Sequence, residues 1–132
     1  MEEIFLKRIY EPFDENDGER ILIDRLWPRG IRKEDVKLSM WAKEIAPTSG
    51  LRKWFSHKPE LFAEFKLRYL DELQTDKQKI QLVTELCQLA TEKKLTLLYG
   101  AKDPINNHAV VLKEEVDRNL IILNSNHKES LS

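Results

Sequence analysis

"LTLLYGA", residues 95–101, constrains this chain more than any other stretch. Its first five residues are apolar, β-branched or aromatic with no charge among them, so no side of the run suits water. A short uninterrupted run of this kind is the mark of a buried strand, and buried strands separated by helices imply a mainly parallel sheet. A parallel sheet in turn needs crossovers, usually helices, and the sequence supplies them. From Lys77 to Lys93 the apolar residues Ile80, Val83, Cys87 and Ala90 step by three and four, which predicts an amphipathic helix. Upstream, Pro59 suits a first helical turn, and Leu61, Phe62, Phe65, Tyr69 and Leu73 fall on one face of a longer helix. Thr48 and Ser49 are N-cap residues for a short helix through "LRKWF" (51–55).

Two further runs read as strands, "IFLKRIY" (4–10) and "RILID" (20–24), the second apolar enough to be central. Between them "EPFDENDGER" (11–20) reads as a turn with a solvated acidic tip. "KLSMWAKEIAP" (37–47) alternates imperfectly and stops at Pro47, which predicts another strand. Pro104 suits the start of a final helix running to about Asn119. The expected fold is therefore α/β: one domain over residues 1–123, with a small, mainly parallel sheet flanked by helices in Rossmann-like layers. The polar stretch 124–132 reads as a flexible tail. Strand order stays open.

Lysine plus arginine (22) nearly cancel aspartate plus glutamate (23), where a general nucleic-acid binder is usually markedly basic. The start, "MEEIFLKR", carries charge where a signal peptide needs an apolar core, and no apolar run approaches the roughly 18 residues of a membrane span. A cytosolic protein without membrane contact is expected. The single cysteine, Cys87, cannot form an internal disulfide, and its place on the apolar face of a helix marks it as core. There is no phosphate-binding P-loop and no GxGxxG dinucleotide fingerprint.

In open parallel sheets ligands gather beyond the carboxyl ends of the strands. Two polar clusters occupy that position. After "RILI" come Asp24, Arg25, Trp27, Arg29 and Gly30; after "LTLL" come Tyr99, Gly100, Lys102, Asp103, Asn107 and His108. If the strands are parallel, both clusters lie on one rim, with Lys43, Arg52 and His57 between them in sequence. The arginines offer planar forks for carboxylate or phosphate, and Trp27 is either a lid or a core plug. Asp103 and His108 are five residues apart across a turn. They either face each other as an oriented acid–base pair, or Asp103 caps the last helix and His108 bonds locally. His57 either bonds at the start of the long helix or projects into the site. No serine or cysteine nucleophile completes a triad, and no two-histidine helical motif supports a metal site. The sequence identifies no cofactor and no oligomeric state.

"RILIDRLWPRGIRKED", "WAKEIAPTSGLRKWFSHKPELFAEFKLRY" and "LTLLYGAKDPINNHAVVL" resemble the YeaO-like bacterial proteins, a family of unknown function, over roughly residues 4–116. The resemblance implies a small bacterial α/β domain of cytosolic type and no particular activity. A wider related group often carries "C-A-E-K-D-P" followed by "C-H-R". On this chain those cysteines fall on Tyr99 and Asn107, the glutamate on Ala101 and the arginine on Ala109, while Lys102, Asp103, Pro104 and His108 match. Thiol chemistry is therefore not implied here.

The preferred reading is a small enzyme or ligand-binding protein for an anionic small molecule bearing phosphate or carboxylate. Arg25, Arg29, Arg52 and Lys102 would hold the anion, and His108, Asp103 or His57 would serve as acid or base. A nucleic-acid accessory protein, stacking bases on Trp27, Trp41 or Trp54, is disfavoured by the charge balance and by the lack of a helix-turn-helix with a basic recognition helix. A non-catalytic interaction module is the third alternative.

Overall fold

The computed structural model describes residues 3–131, with side chains as far as residue 125. Four strands form one parallel sheet: β1 (Ile4–Arg8), β2 (Glu19–Leu22), β3 (Met40–Trp41) and β4 (Leu95–Tyr99), in the spatial order β1-β4-β2-β3. The run that opened the sequence analysis is thus a central strand, paired over its whole length with β1 (Ile4 opposite Leu95, Arg8 opposite Tyr99) and with β2 (Glu19 opposite Leu95). Every residue of β4 is buried, as its composition requires.

Alternation along the strands divides the interior in two. Ile4, Ile21, Leu95 and Leu97 face the larger core, which is roofed by three helices, α3 (Phe62–Thr75), α4 (Lys77–Ala90) and α5 (His108–Leu131). Their inward residues recur at helical spacing: Phe65, Tyr69 and Leu73 on α3; Val83, Leu86, Cys87 and Ala90 on α4; Val111, Leu112, Val116 and Leu120 on α5. The opposite face buries Ile9, Leu22 and Leu98 beneath a much thinner cover. That cover is the segment after β2, with Trp27, Ile31 and Leu38, and the single-turn helix α1 (Lys33–Val36). The expected helical flanking therefore falls mainly on one face.

The same thin face carries a polar anchor. Asp17, buried beneath the loop between β1 and β2, pairs with Lys7 at 3.0 Å and with Arg20, whose Nε donates to the Val36 carbonyl at 2.9 Å. Burial alone would raise the Asp17 pKa, but hydrogen bonds from Lys7, from the Asp14 loop backbone and from Arg20 outweigh it and hold the carboxyl below the usual range. The acidic tip is thus not simply solvated; one of its carboxylates ties the β1–β2 link, which has only a 3₁₀ turn (Glu15–Asp17), onto the sheet.

Three elements differ from expectation. The strand expected over 37–47 shrinks to Met40–Trp41, because Ala42, Ile45 and Ala46 turn inward under α4, where buried Lys79 donates to the Glu44 carbonyl at 2.9 Å. Ile80 is 41% exposed, and Leu86 takes the inward position instead. The final helix starts at His108 and not at Pro104, because Asp103 and Asn107 form a separate turn and cap ahead of it. It also continues to Leu131, well past Asn119. Flexibility of the 124–132 tail concerns residues whose side chains, from 126 onward, lie outside those described. Among the described residues no helix is long and apolar enough to cross a membrane.

Candidate functional site

Because β2 and β4 are adjacent and parallel, their carboxyl ends deliver two loops to the same rim. The loops touch: the Gly100 N–H donates to Asp24 Oδ2 at 2.9 Å, and His108 Nε2 stands 3.1 Å from Asp24 Oδ1. A Cβ on Gly100 would lie 2.9 Å from that Asp24 oxygen, so glycine is what lets the carboxylate approach the backbone. The end of β1 fastens both loops. Arg8 Nε donates to the Ala101 carbonyl at 3.0 Å, and the Tyr10 hydroxyl donates to the Arg29 carbonyl at 3.0 Å.

Between the loops opens a cleft of about 630 Å³, closed on its third side by α2 (Ser49–Phe55) and the turn that follows it. The volume lies within the range of small-molecule sites. Of the sequence candidates, Asp24, Arg25, Trp27, Arg52 and His57 line it from one side, and Lys102, Asp103, Asn107 and His108 from the other. Phe55, Phe65, Leu26 and Pro28 supply apolar wall, and Tyr10 and Gly100 complete the rim.

Several of these side chains are already committed to structure. Arg25 spans to the Pro47 carbonyl (3.2 Å), the Ala46 carbonyl (3.3 Å) and Glu44 (3.5 Å), so its guanidinium is a strut between the β2 loop and the segment after β3. Trp27 donates to the Ile31 carbonyl at 2.7 Å and meets Trp41 edge to face at 5.3 Å; it is both core plug and cleft wall. Trp41 donates to the Asp24 carbonyl at 2.7 Å, and Trp54 lies beneath Arg68. Asp103 accepts from the Ile105 and Asn106 N–H groups and from the Asn106 side chain at 2.9 Å, and these bonds lower its pKa. Asn107, 1% exposed, bridges Val110 N–H and the Asp103 carbonyl as the cap of α5.

Asp103 therefore does not orient His108. The carboxylate beside that ring is Asp24, from the other loop, and the ring N–H also faces the Ile23 carbonyl at 3.0 Å. Tertiary pairing replaced the pair that is close in sequence. Four other candidates stand outside the cleft. Pro28 is buried and Gly30 turns with φ 75°, which leaves the Arg29 side chain exposed. Lys43 is exposed over the Trp41 ring at 5.2 Å. The alternation of β4 drives Tyr99 into the core, where burial raises its hydroxyl pKa.

Ser56 and His57 close α2 in left-handed backbone conformations, φ 47° and 56°, a common way for a helix to end and one that α1 shares at Lys37. The cleft also holds an imbalance of polar partners. Among the described residues, the buried side-chain atoms that lack any hydrogen bond are Arg52 Nε and Asp24 Oδ1, and both residues line this cleft. The arginine has no ion pair either. Tyr10, Phe55 and Phe65 were not among the sequence candidates. Tyr10 follows β1, and the strand-end rule applied to that strand points to it; the two phenylalanines carry no signal beyond core periodicity.

A family model described as "Inactive DUF488-N3 subclade" matches residues 3–132. The chain is 46% identical over 108 residues to the uncharacterized protein YeaO of Escherichia coli K12, covering 82% of this chain and 91% of that protein. It is 39% identical over 107 residues to the uncharacterized protein Rv3073c of Mycobacterium tuberculosis H37Rv and to Mb3100c of Mycobacterium bovis, covering 81% of this chain and 87% of each. No solved structure gives a significant match.

Proposed function

The chain belongs to the inactive DUF488-N3 subclade, with YeaO among its relatives, and from that premise we propose that it binds an anionic small molecule in the rim cleft without transforming it. The observation that carries the reading is Arg52. A guanidinium in a cleft wall, with its Nε shut off from solvent and no acceptor among the described residues, is an unfavourable arrangement that a carboxylate or phosphate would relieve. Lys102 at the mouth adds positive charge, and the cleft's remaining arginine, Arg25, is satisfied by the protein itself.

Binding rather than catalysis is supported by where reactive groups have gone. Tyr99 and Asn107, at the positions where the wider resembling group carries cysteines, are a core side chain and a helix cap. The one thiol, Cys87, is buried, and burial together with Glu115 and Asp117 pushes its pKa up to about 11, far from a nucleophile's range.

The test is calorimetric titration of the protein with inorganic phosphate, sugar phosphates and aliphatic and aromatic carboxylates, repeated on Arg52→Met. Saturable binding by one class, weakened about tenfold or more in the variant, is expected for loss of a charge-assisted hydrogen bond. If no anion binds, or if Arg52→Met binds as tightly as the parent, the reading is wrong.

A further inference from the structure

β1 is an edge strand, since the order β1-β4-β2-β3 gives it a neighbour on one side only. The Leu95 N–H donates to the Glu3 carbonyl and the Ile9 N–H to the Tyr99 carbonyl, so the backbone groups of the odd-numbered residues face β4. Those of Ile4, Leu6 and Arg8 point outward. Arg8 is closed off by Glu11, whose carboxylate accepts from the Arg8 N–H at 2.9 Å and whose N–H donates to the Arg8 carbonyl at 3.0 Å. Nothing among the described residues bonds the outward groups of Ile4 and Leu6. Natural sheets usually guard such an edge with charge. Here the charges are drawn off it. Lys7 Nζ turns back to the Pro12 carbonyl at 2.6 Å and to Asp17, and the Arg8 side chain donates to the Ala101 and Gly100 carbonyls. What the edge presents is Phe5, 40% exposed, beside half-buried Leu6.

We propose that β1 pairs with β1 of a second copy of this chain, antiparallel about a two-fold axis at Phe5, so that two sheets become one. The strand is self-complementary in that register. Ile4 and Leu6 of opposite copies exchange both backbone bonds, which uses the open groups and no others. Phe5 meets Phe5 in a non-hydrogen-bonded pair, where side chains approach most closely. Glu3 lies opposite Lys7, so unlike charges meet across the seam. Centring the pair on Leu6 would need the backbone of Arg8, which Glu11 holds, and centring it on Ile4 would set Phe5 against Glu3. The axis runs perpendicular to the sheet, so both copies of α5, the helix packed on β1, flank the seam on one face. The exposed Ile121, Ile122 and Leu123 of that helix add apolar surface on that side.

Sedimentation equilibrium of the full chain, from micromolar to submillimolar concentration, is expected to show a monomer–dimer equilibrium. Phe5→Lys sets like charges opposite each other at an exposed position and is expected to weaken the dimer about tenfold or more. Phe5→Cys is expected to give a disulfide-linked dimer on mild oxidation, because the paired Cα atoms stand about 4.5 Å apart, within disulfide reach. Leu67→Cys, exposed on α3, should give none, and the native Cys87 is buried. A parent that stays monomeric throughout overturns the proposal and leaves the edge to a strand of another protein. A dimer that Phe5→Lys leaves unchanged overturns it, as does Phe5→Cys cross-linking no better than Leu67→Cys. If the melting curve shows that Phe5→Lys does not fold, the cross-linking comparison decides.

Discussion

Replacing Arg52 by methionine is expected to make the protein more stable while weakening the anion binding proposed for the cleft. Arg52 lines the cleft, is half-buried, and keeps Nε out of solvent with no acceptor among the described residues. A buried donor left unpaired costs about 1–3 kcal/mol, and the low end applies here because the guanidinium is only partly withdrawn from water. Methionine keeps most of the aliphatic stem and removes the orphan donor. The expected gain is about 1 kcal/mol, or roughly 3–5 °C in Tm for a domain of this size. Urea denaturation followed by circular dichroism measures it, with Lys53→Met as the control, since Lys53 is exposed on the same helix. The control should stay within about 0.5 kcal/mol of the parent. A loss of more than about 1 kcal/mol in Arg52→Met would refute the reasoning, because it would mean that the fold needs the guanidinium.

Three further outcomes test the frame around the cleft. Gly18 has φ 68°, and a Cβ there would sit 2.3 Å from the Lys94 carbonyl oxygen, so Gly18→Ala is expected to lower stability by about 2 kcal/mol or more in the same urea assay. Asn107→Ala removes the side chain that caps α5 and holds the Asp103 carbonyl, for a loss of about 1–2 kcal/mol. The anion binding proposed for the cleft should weaken as well, because His108 is the next residue. Asp17 has a lowered pKa in the fold, so its contribution is present above the unfolded-state value and is lost as pH falls through the folded one. Acid titration by circular dichroism should therefore show part of the parent's low-pH destabilisation missing from Asp17→Asn, and identical acid limbs would contradict the account.

Much of the frame was legible because it rests on local rules. An apolar run without alternation demanded a buried strand, which β4 is, and the short apolar RILID run marked a central one, which β2 is, paired with β3 and β4. Residues spaced three and four apart placed Phe65, Tyr69 and Leu73 inside, and Thr48 caps α2, accepting from the Leu51 N–H at 3.3 Å. The strand-end rule brought the DRLWPRG and KDPINNH loops to one rim, where Gly100 meets Asp24. It worked because adjacent parallel strands must end on the same side.

Partner choice was not legible, because it is decided by groups distant in the chain. Sequence proximity suggested Asp103 for His108, yet the Asp103 carboxylate is consumed by its own turn and Asp24 takes the place beside the ring. Composition made Arg25 and Arg52 equal candidates. Only packing shows that Arg25 is spent on the carbonyls of Ala46 and Pro47 while Arg52 Nε has no acceptor among the described residues. By itself, then, the sequence determined the layers, the central strand and the rim, since periodicity and capping act over one or two turns of chain. The tertiary structure alone decided which charges on that rim are satisfied, since a hydrogen bond depends on ångström distances between atoms that 20 to 80 residues of chain hold apart in sequence.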